Sequence, residues 1–295
     1  MNRLPLFFYR YLSSRFLGSV VYNAFIIYFL WELVVATKSV FLAGLIPTIA
    51  LAANLIAAIP VGHLIDRFNS TKLSMVSSIL LLAGCALLVA NQTVLPVYAS
   101  TAFVSVGVMM KGDTISATIK KHLGRDQFTP ANQSLQAAGY ASSLTGTVLG
   151  GASIIYLRSY FAPTILALSV IALLFSLPIP EVPNRELKQN AMSELVSSIG
   201  FIKKIGGFLV VGFVLNGLFV SLDVYSSGLF HLVLDVSSIY YKLFVAFLAV
   251  GGVIGSTVSG KVQKHVNTAN RISFLILLFS PAILFIALSG NAALD

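Results

Sequence analysis

The sequence predicts an all-α polytopic membrane protein with about nine transmembrane helices, and three observations carry that prediction. Hydrophobic residues make up 57% of the chain and charged residues only 10%, against roughly a quarter charged in a soluble domain. The apolar residues gather in runs near the ~20 needed to cross a bilayer as a helix, which satisfies its own backbone groups in hydrocarbon. The basic residues collect in alternate connections between those runs, as cytoplasmic loops do.

Taken in order, the runs fall at 12–36, 40–65, 73–91, 94–118, 130–156, 160–180, 205–230, 237–260 and 271–290. The first follows Arg3 and Arg10 as a signal peptide would. It nevertheless reaches spanning length and lacks an Ala-x-Ala-like cleavage site, so it is expected to be retained. Thr129-Pro130 predicts an N-cap and a first-turn proline opening the fifth helix, and Pro178, Pro180 and Pro183 are expected to end the sixth. Between the sixth and seventh lies the longest polar stretch, in which Met192, Leu195, Val196, Ile199 and Ile202 recur at helical spacing. That pattern reads either as an amphipathic helix on the cytoplasmic membrane face or as an extension of helix 7. The domain organisation expected is therefore a six-helix N-terminal half (1–180), a cytoplasmic linker (181–204) and a partial C-terminal half (205–295).

Charge tests the topology. With the N-terminus in the cytoplasm of a cell-membrane protein, sixteen of the nineteen basic residues fall inside and only Lys38, Arg158 and Lys242 outside, the asymmetry that sets orientation. The same distribution accounts for the net charge of +9 without a nucleic-acid partner. The single cysteine, Cys85, lies in an apolar run and supports no disulfide framework or thiolate site. The four histidines, His63, His122, His231 and His265, are scattered among loops on both sides. No metal or cofactor is expected. The sequence has no His-Glu-x-x-His, no Gly-x-Ser-x-Gly and no Gly-x-x-x-x-Gly-Lys, so it is not read as an enzyme.

Residues 62–72, from Gly62 through His63, Leu64, Ile65, Asp66, Arg67, Phe68, Asn69, Ser70 and Thr71 to Lys72, form a short charged turn between the second and third runs. The pattern Gly-x-Leu-x-Asp-Arg with a following Lys resembles the cytoplasmic signature of the major facilitator superfamily. That resemblance implies the major facilitator fold, alternating access and a cytoplasmic latch. In the latch Asp66 would meet the N-terminal dipole of a helix in the other half, Gly62 would allow close helix approach, and Arg67 and Lys72 would anchor the loop. Asn69 stands where the family usually has glycine and still tolerates turn conformations. The family's arginine in helix 4 has no counterpart between Tyr98 and Gly107, and the usual latch partner belongs to an eleventh helix.

A second copy of the turn, 260–270, aligns on the first without gaps, 198 residues on, placing Gly260 on Gly62, Lys264 on Asp66 and His265 on Arg67. Halves of that length imply twelve helices, so the second half is expected to lack three, as in a fragment, a split gene or a decayed one. In the fifth run, Gly146-Thr147-Val148-Leu149-Gly150-Gly151 resembles the glycine motif of exporters, with Thr147 in place of proline. Ser142, Gly146 and Gly150 also form a small-xxx-small ridge suited to close helix packing. The stretch from Asp113 through Ala131 and Asn132 to Gly151 is similar to the branch containing macrolide exporters and the enterobactin exporter.

Ionisable and polar groups within spans are functional candidates. Asp223, well into helix 7 with Asn216 two turns before it, is the leading candidate for a proton or cationic substrate; a place near the outer mouth is its alternative. Glu32 beside Trp31 is expected near the outer interface. Asn23 and Asn54 serve either as interhelical glue or as substrate contacts, and Lys111 and Asp113 are expected near the inner interface, where a lysine stem reaches the headgroups. The function expected is secondary transport, as proton-coupled export of an amphipathic small molecule. Uptake of a metabolite by the same fold is one alternative. Another is a truncated, non-transporting protein or one piece of a split transporter. The partners expected are the lipid bilayer, a small-molecule substrate, protons and a separate C-terminal piece.

Overall fold

The computed structural model describes residues 4–176 and parts of 206–247. Every regular element among them is helical: α1 Leu6–Thr37, α2 Val40–Arg67, α3 Ser70–Ala90, α4 Val94–His122, α5 Arg125–Tyr156, a short 3-10 turn Arg158–Tyr160, α6 Phe161–Ser176 and a π-turn Leu229–Val233. The linker 181–204, with its candidate amphipathic helix, lies outside the described residues, as do the spans expected beyond 250.

Local chemistry sets the joints. Connections of two or three residues force neighbouring helices to run antiparallel. At the α1–α2 turn Lys38 adopts a left-handed conformation (φ 54°) while its N–H bonds back to the Val34 carbonyl, the usual way to end a helix. Ser39 then caps α2, its Oγ accepting from the Leu42 N–H at 3.3 Å. At the opposite end of the bundle Asn69 caps α3, its Oδ1 accepting from the Thr71 N–H at 3.1 Å, which explains why asparagine suits that position.

The fifth helix departs from expectation. It opens at Arg125, not at Pro130, because the Gly124 carbonyl already accepts from the Gln127 and Phe128 N–H groups. Pro130 lies inside the helix, close enough to its start that little of the backbone ladder is lost. Among the described residues the other boundaries of the first six helices fall within a few residues of those expected, with α1 and α4 extending further, to Leu6 and His122; the stop expected at Pro178, Pro180 and Pro183 lies outside the described residues. Among the described residues α1, α2, α3, α4 and the segment Arg158–Ser176 are long and apolar enough to cross a membrane. α5, at 32 residues, has the length but carries a higher share of polar and small residues.

Spatial order differs from chain order. α1 occupies the centre, packing on α5 and α6 and also on α2 and α4; α3 packs on α4 and α6. The main core runs along α1 through Phe25, Tyr28, Phe29 and Leu33 to Leu81 and Leu88 of α3, Val104 of α4 and Phe161 of α6. Tyr28 stacks on Phe161 with ring centroids 3.8 Å apart. By contrast α2 presents Leu51, Leu55, Ile56 and Ile59 outward. In water such a face would be a liability, whereas acyl chains solvate it.

Candidate functional site

Four groups of residues carry chemistry, and the α2–α3 joint with the helix ends beside it is the first. Leu64 is partly buried against Val61, Leu73 and Met110. Lys121 of α4 donates to the Ile65 carbonyl at 3.2 Å, setting a cation at the negative end of α2. Gly62, Asp66, Arg67 and Lys72 are exposed. Among the described residues Asp66 makes no hydrogen bond or ion pair, and nothing comes within 4 Å of a Cβ built on Gly62. The turn is thus held in place by its apolar side while its charged side faces away from the bundle.

The second group is the α1–α5 contact. A Cβ on Gly146 would lie 2.6 Å from the Val20 carbonyl oxygen and 2.7 Å from Asn23 Cβ, and one on Gly150 would lie 2.6 Å from the Ala24 oxygen. Gly151 is also buried. The small residues therefore let two backbones touch, as small-xxx-small interfaces in lipid do. Asn23 belongs to this seam: its Nδ2 donates to the Ser19 carbonyl at 2.7 Å, and Ser143 Oγ donates to its Oδ1 at 3.5 Å. Asn54 Oδ1, on α2, is buried without a hydrogen-bond partner among the described residues.

The third group was not legible as a site in the sequence. Lys111, expected near the inner interface, is instead only 2% exposed. Its Nζ donates to Ser14 Oγ at 2.6 Å, to Ser176 Oγ at 3.2 Å and to Ser78 Oγ. Each hydroxyl passes its own proton on: Ser14 to the Ala172 carbonyl at 2.7 Å, Ser78 to the Ser74 carbonyl at 2.9 Å and Ser176 to Ala172 at 3.1 Å. An ammonium has three donors and no acceptor, so three hydroxyls use all of them. The charge is shared out to helix carbonyls of α3 and α6. The serine spacing 74, 77 and 78 on one face of α3 was the available signal, though it names no partner.

At the α1–α2 end, Glu32 forms a 2.7 Å ion pair with Arg158, which is 63% exposed. The pair borders a cleft of about 370 Å³ together with Tyr28 and Gln92. Glu32 therefore lies near the C-terminal end of α1 and is committed to a cation. Partly exposed pairs contribute ~0.2–1 kcal/mol. Glu32→Gln is thus expected to lower the melting temperature by no more than a few degrees, and the exchange Glu32→Arg with Arg158→Glu to restore it, measured in detergent. Asp223, Asn216, Gly260, Lys264 and His265 lie outside the described residues.

Apolar helices of spanning length, a polar seam inside them and a charged turn at one end define a multi-pass membrane protein. The sequence profile of the Major Facilitator Superfamily matches residues 11–294, and the chain belongs to that superfamily, a family of secondary transporters. Among solved structures it is similar to a POT family transporter in complex with a thioalcohol-conjugated peptide, at 14% identity and a TM-score of 0.53 over 77% of this chain and 50% of that one. It is likewise similar to the peptide transporter POT in complex with sulfate, at 14% identity and a TM-score of 0.54 over 80% of this chain and 52% of that one. Such likenesses concern the fold, and the chain spans about half the length of these structures. No curated protein sequence matches it.

Proposed function

We propose that the chain serves proton-coupled export of an amphipathic small molecule by alternating access, with the α2–α3 turn at the cytoplasmic face of the cell membrane. One observation carries this reading: Asp66, at the C-terminal end of α2 in a segment resembling the superfamily signature, is exposed and unpaired among the described residues, while Leu64 and Ile65 of the same helix end are packed against the bundle. A carboxylate so presented is available to a helix N-terminus of a second half. Residues 205–295 supply part of that half, and a separate C-terminal piece would complete it. The distribution of basic residues supports the orientation, and the α5 glycine ridge, packed on α1, supports the exporter branch. The proton and substrate are assigned to Asp223 and Asn216 of the second half, with Asn23 and Asn54 as polar candidates in the first.

The test is reconstitution into proteoliposomes with an imposed proton gradient, using ethidium as an amphipathic cation and co-reconstituting any C-terminal piece. Movement of the dye that collapses with the gradient is expected. Asp66→Asn is expected to lower the rate at least tenfold with unchanged melting temperature, since no described contact is lost. Dye movement insensitive to the gradient would overturn proton coupling. Full activity in Asp66→Asn would overturn the latch.

A further inference from the structure

The residues described after position 220 meet the first half around the α1–α2 turn. Trp31 of α1 stacks on Tyr241 with centroids 5.2 Å apart, with Phe230 and Phe244 beside them. A Cβ on Gly228 would overlap Val40, and one on Gly44 would lie 3.3 Å from Val224. All of this surrounds the α1–α2 turn. On the orientation proposed above, the two segments are thus closed together on the outer side.

Within that closure lies a contact with a defined proton requirement. Lys38 Nζ is 3.1 Å from His231 Nε2. Lys38 is held by the left-handed turn that ends α1, and His231 sits on the π-turn Leu229–Val233, a rare local structure associated with functional sites. A lysine ammonium has only donors to offer, so Nε2 must present its lone pair, and the imidazole must be neutral with its proton on Nδ1. A proton added to Nε2 removes the acceptor and sets two cations side by side. The described groups facing His231 are Lys38 and Trp31 from the α1 end, with centroids of Trp31 and His231 5.3 Å apart. The acid next to Trp31 in the chain, Glu32, is engaged by Arg158.

We propose that Lys38 and His231 form an acid-released latch on the outer gate: neutral His231 holds the gate closed, and a proton arriving from the outer side opens it. This rests on the alternating-access reading and gives the external proton a place to act before it reaches the transport pathway.

Trp31 is the only tryptophan in the chain, and it is 6% exposed. Acrylamide quenching of its fluorescence in nanodiscs therefore reads the closure directly. From pH 7.5 to 5.5 the quenching constant of the wild type is expected to rise, as the open–closed ratio shifts about five-fold, the ratio set by two unit charges ~4 Å apart in a high-dielectric setting. His231→Gln keeps an acceptor for Lys38 and cannot be protonated in this range, so its constant should stay low at both pH values. His231→Lys, a fixed cation, should be high at both. A flat wild-type curve, a full pH response in His231→Gln, or a well-protected Trp31 in monodisperse His231→Lys would each overturn the latch. The measurement uses no substrate, so its outcome is separate from that of the dye-transport test.

Discussion

Removing two hydroxyls from the Lys111 cage, Ser78→Ala with Ser176→Ala, is expected to destabilise the protein by ~1–3 kcal/mol for each donor left unsatisfied. Lys111→Met in the otherwise unchanged protein should cost less, under ~1.5 kcal/mol, because the two side chains are of similar length and volume-conserving swaps are tolerated. The asymmetry follows from the direction of the hydrogen bonds. Ser14, Ser78 and Ser176 each have a carbonyl of their own to donate to, so they remain satisfied without the ammonium. The ammonium has no acid among its bonded partners and only these hydroxyls to accept its protons. Adding Lys111→Met to the double alanine variant should therefore recover much of the loss. Thermal unfolding of the four proteins in detergent checks this, and a Lys111→Met variant less stable than the double alanine would refute it.

The second large effect is expected at the α1–α5 seam. Alanine at Gly150 places its Cβ 2.6 Å from the Ala24 oxygen and 3.0 Å from Ala24 Cα. Both are backbone atoms, and no rotamer change relieves the clash. The helices must separate, at a cost of ~1–3 kcal/mol for one methyl in a packed interface. Gly146→Ala meets Val20 and Asn23 in the same way, so the double variant is expected to yield little monodisperse protein. Gly139 on the same helix is the control: nothing lies within 4 Å of its Cβ position. Gly139→Ala should be neutral or stabilising by up to ~1 kcal/mol through helix propensity alone. Melting temperatures and gel-filtration profiles distinguish the three. Loss at Gly139 equal to that at Gly150 would point to a general intolerance of α5 rather than to close approach.

Helix number in the first half and most of the described ends were legible because apolar run length and short polar joints are local properties, set by bilayer thickness and backbone satisfaction. The glycine ridge was legible as a packing device, since 142, 146 and 150 repeat at helical spacing, but its partner was not: α1 lies more than a hundred residues away. Pro130 misled for a local reason. A proline after threonine reads as a helix start, yet the Gly124 carbonyl captures the first bonds five residues earlier. Lys111 misled for a tertiary one. Its depth in α4 suggested a snorkelling side chain, and only the meeting of α1, α3 and α6 around it provides acceptors that keep it inside.

The sequence by itself determined the all-helical membrane class, the charged motif at 62–72 and the superfamily to which they point, because composition, periodicity and a contiguous motif need no knowledge of what lies across the bundle. Only the tertiary structure decided which polar groups meet. Lys111 with three serines, Glu32 with Arg158 and Lys38 with His231 are pairings between residues 33 to 193 positions apart. Helix order in space, with α1 at the centre, brings them together. The physical reason is that desolvated charges take whatever partner the packing supplies, and packing is a property of the whole bundle.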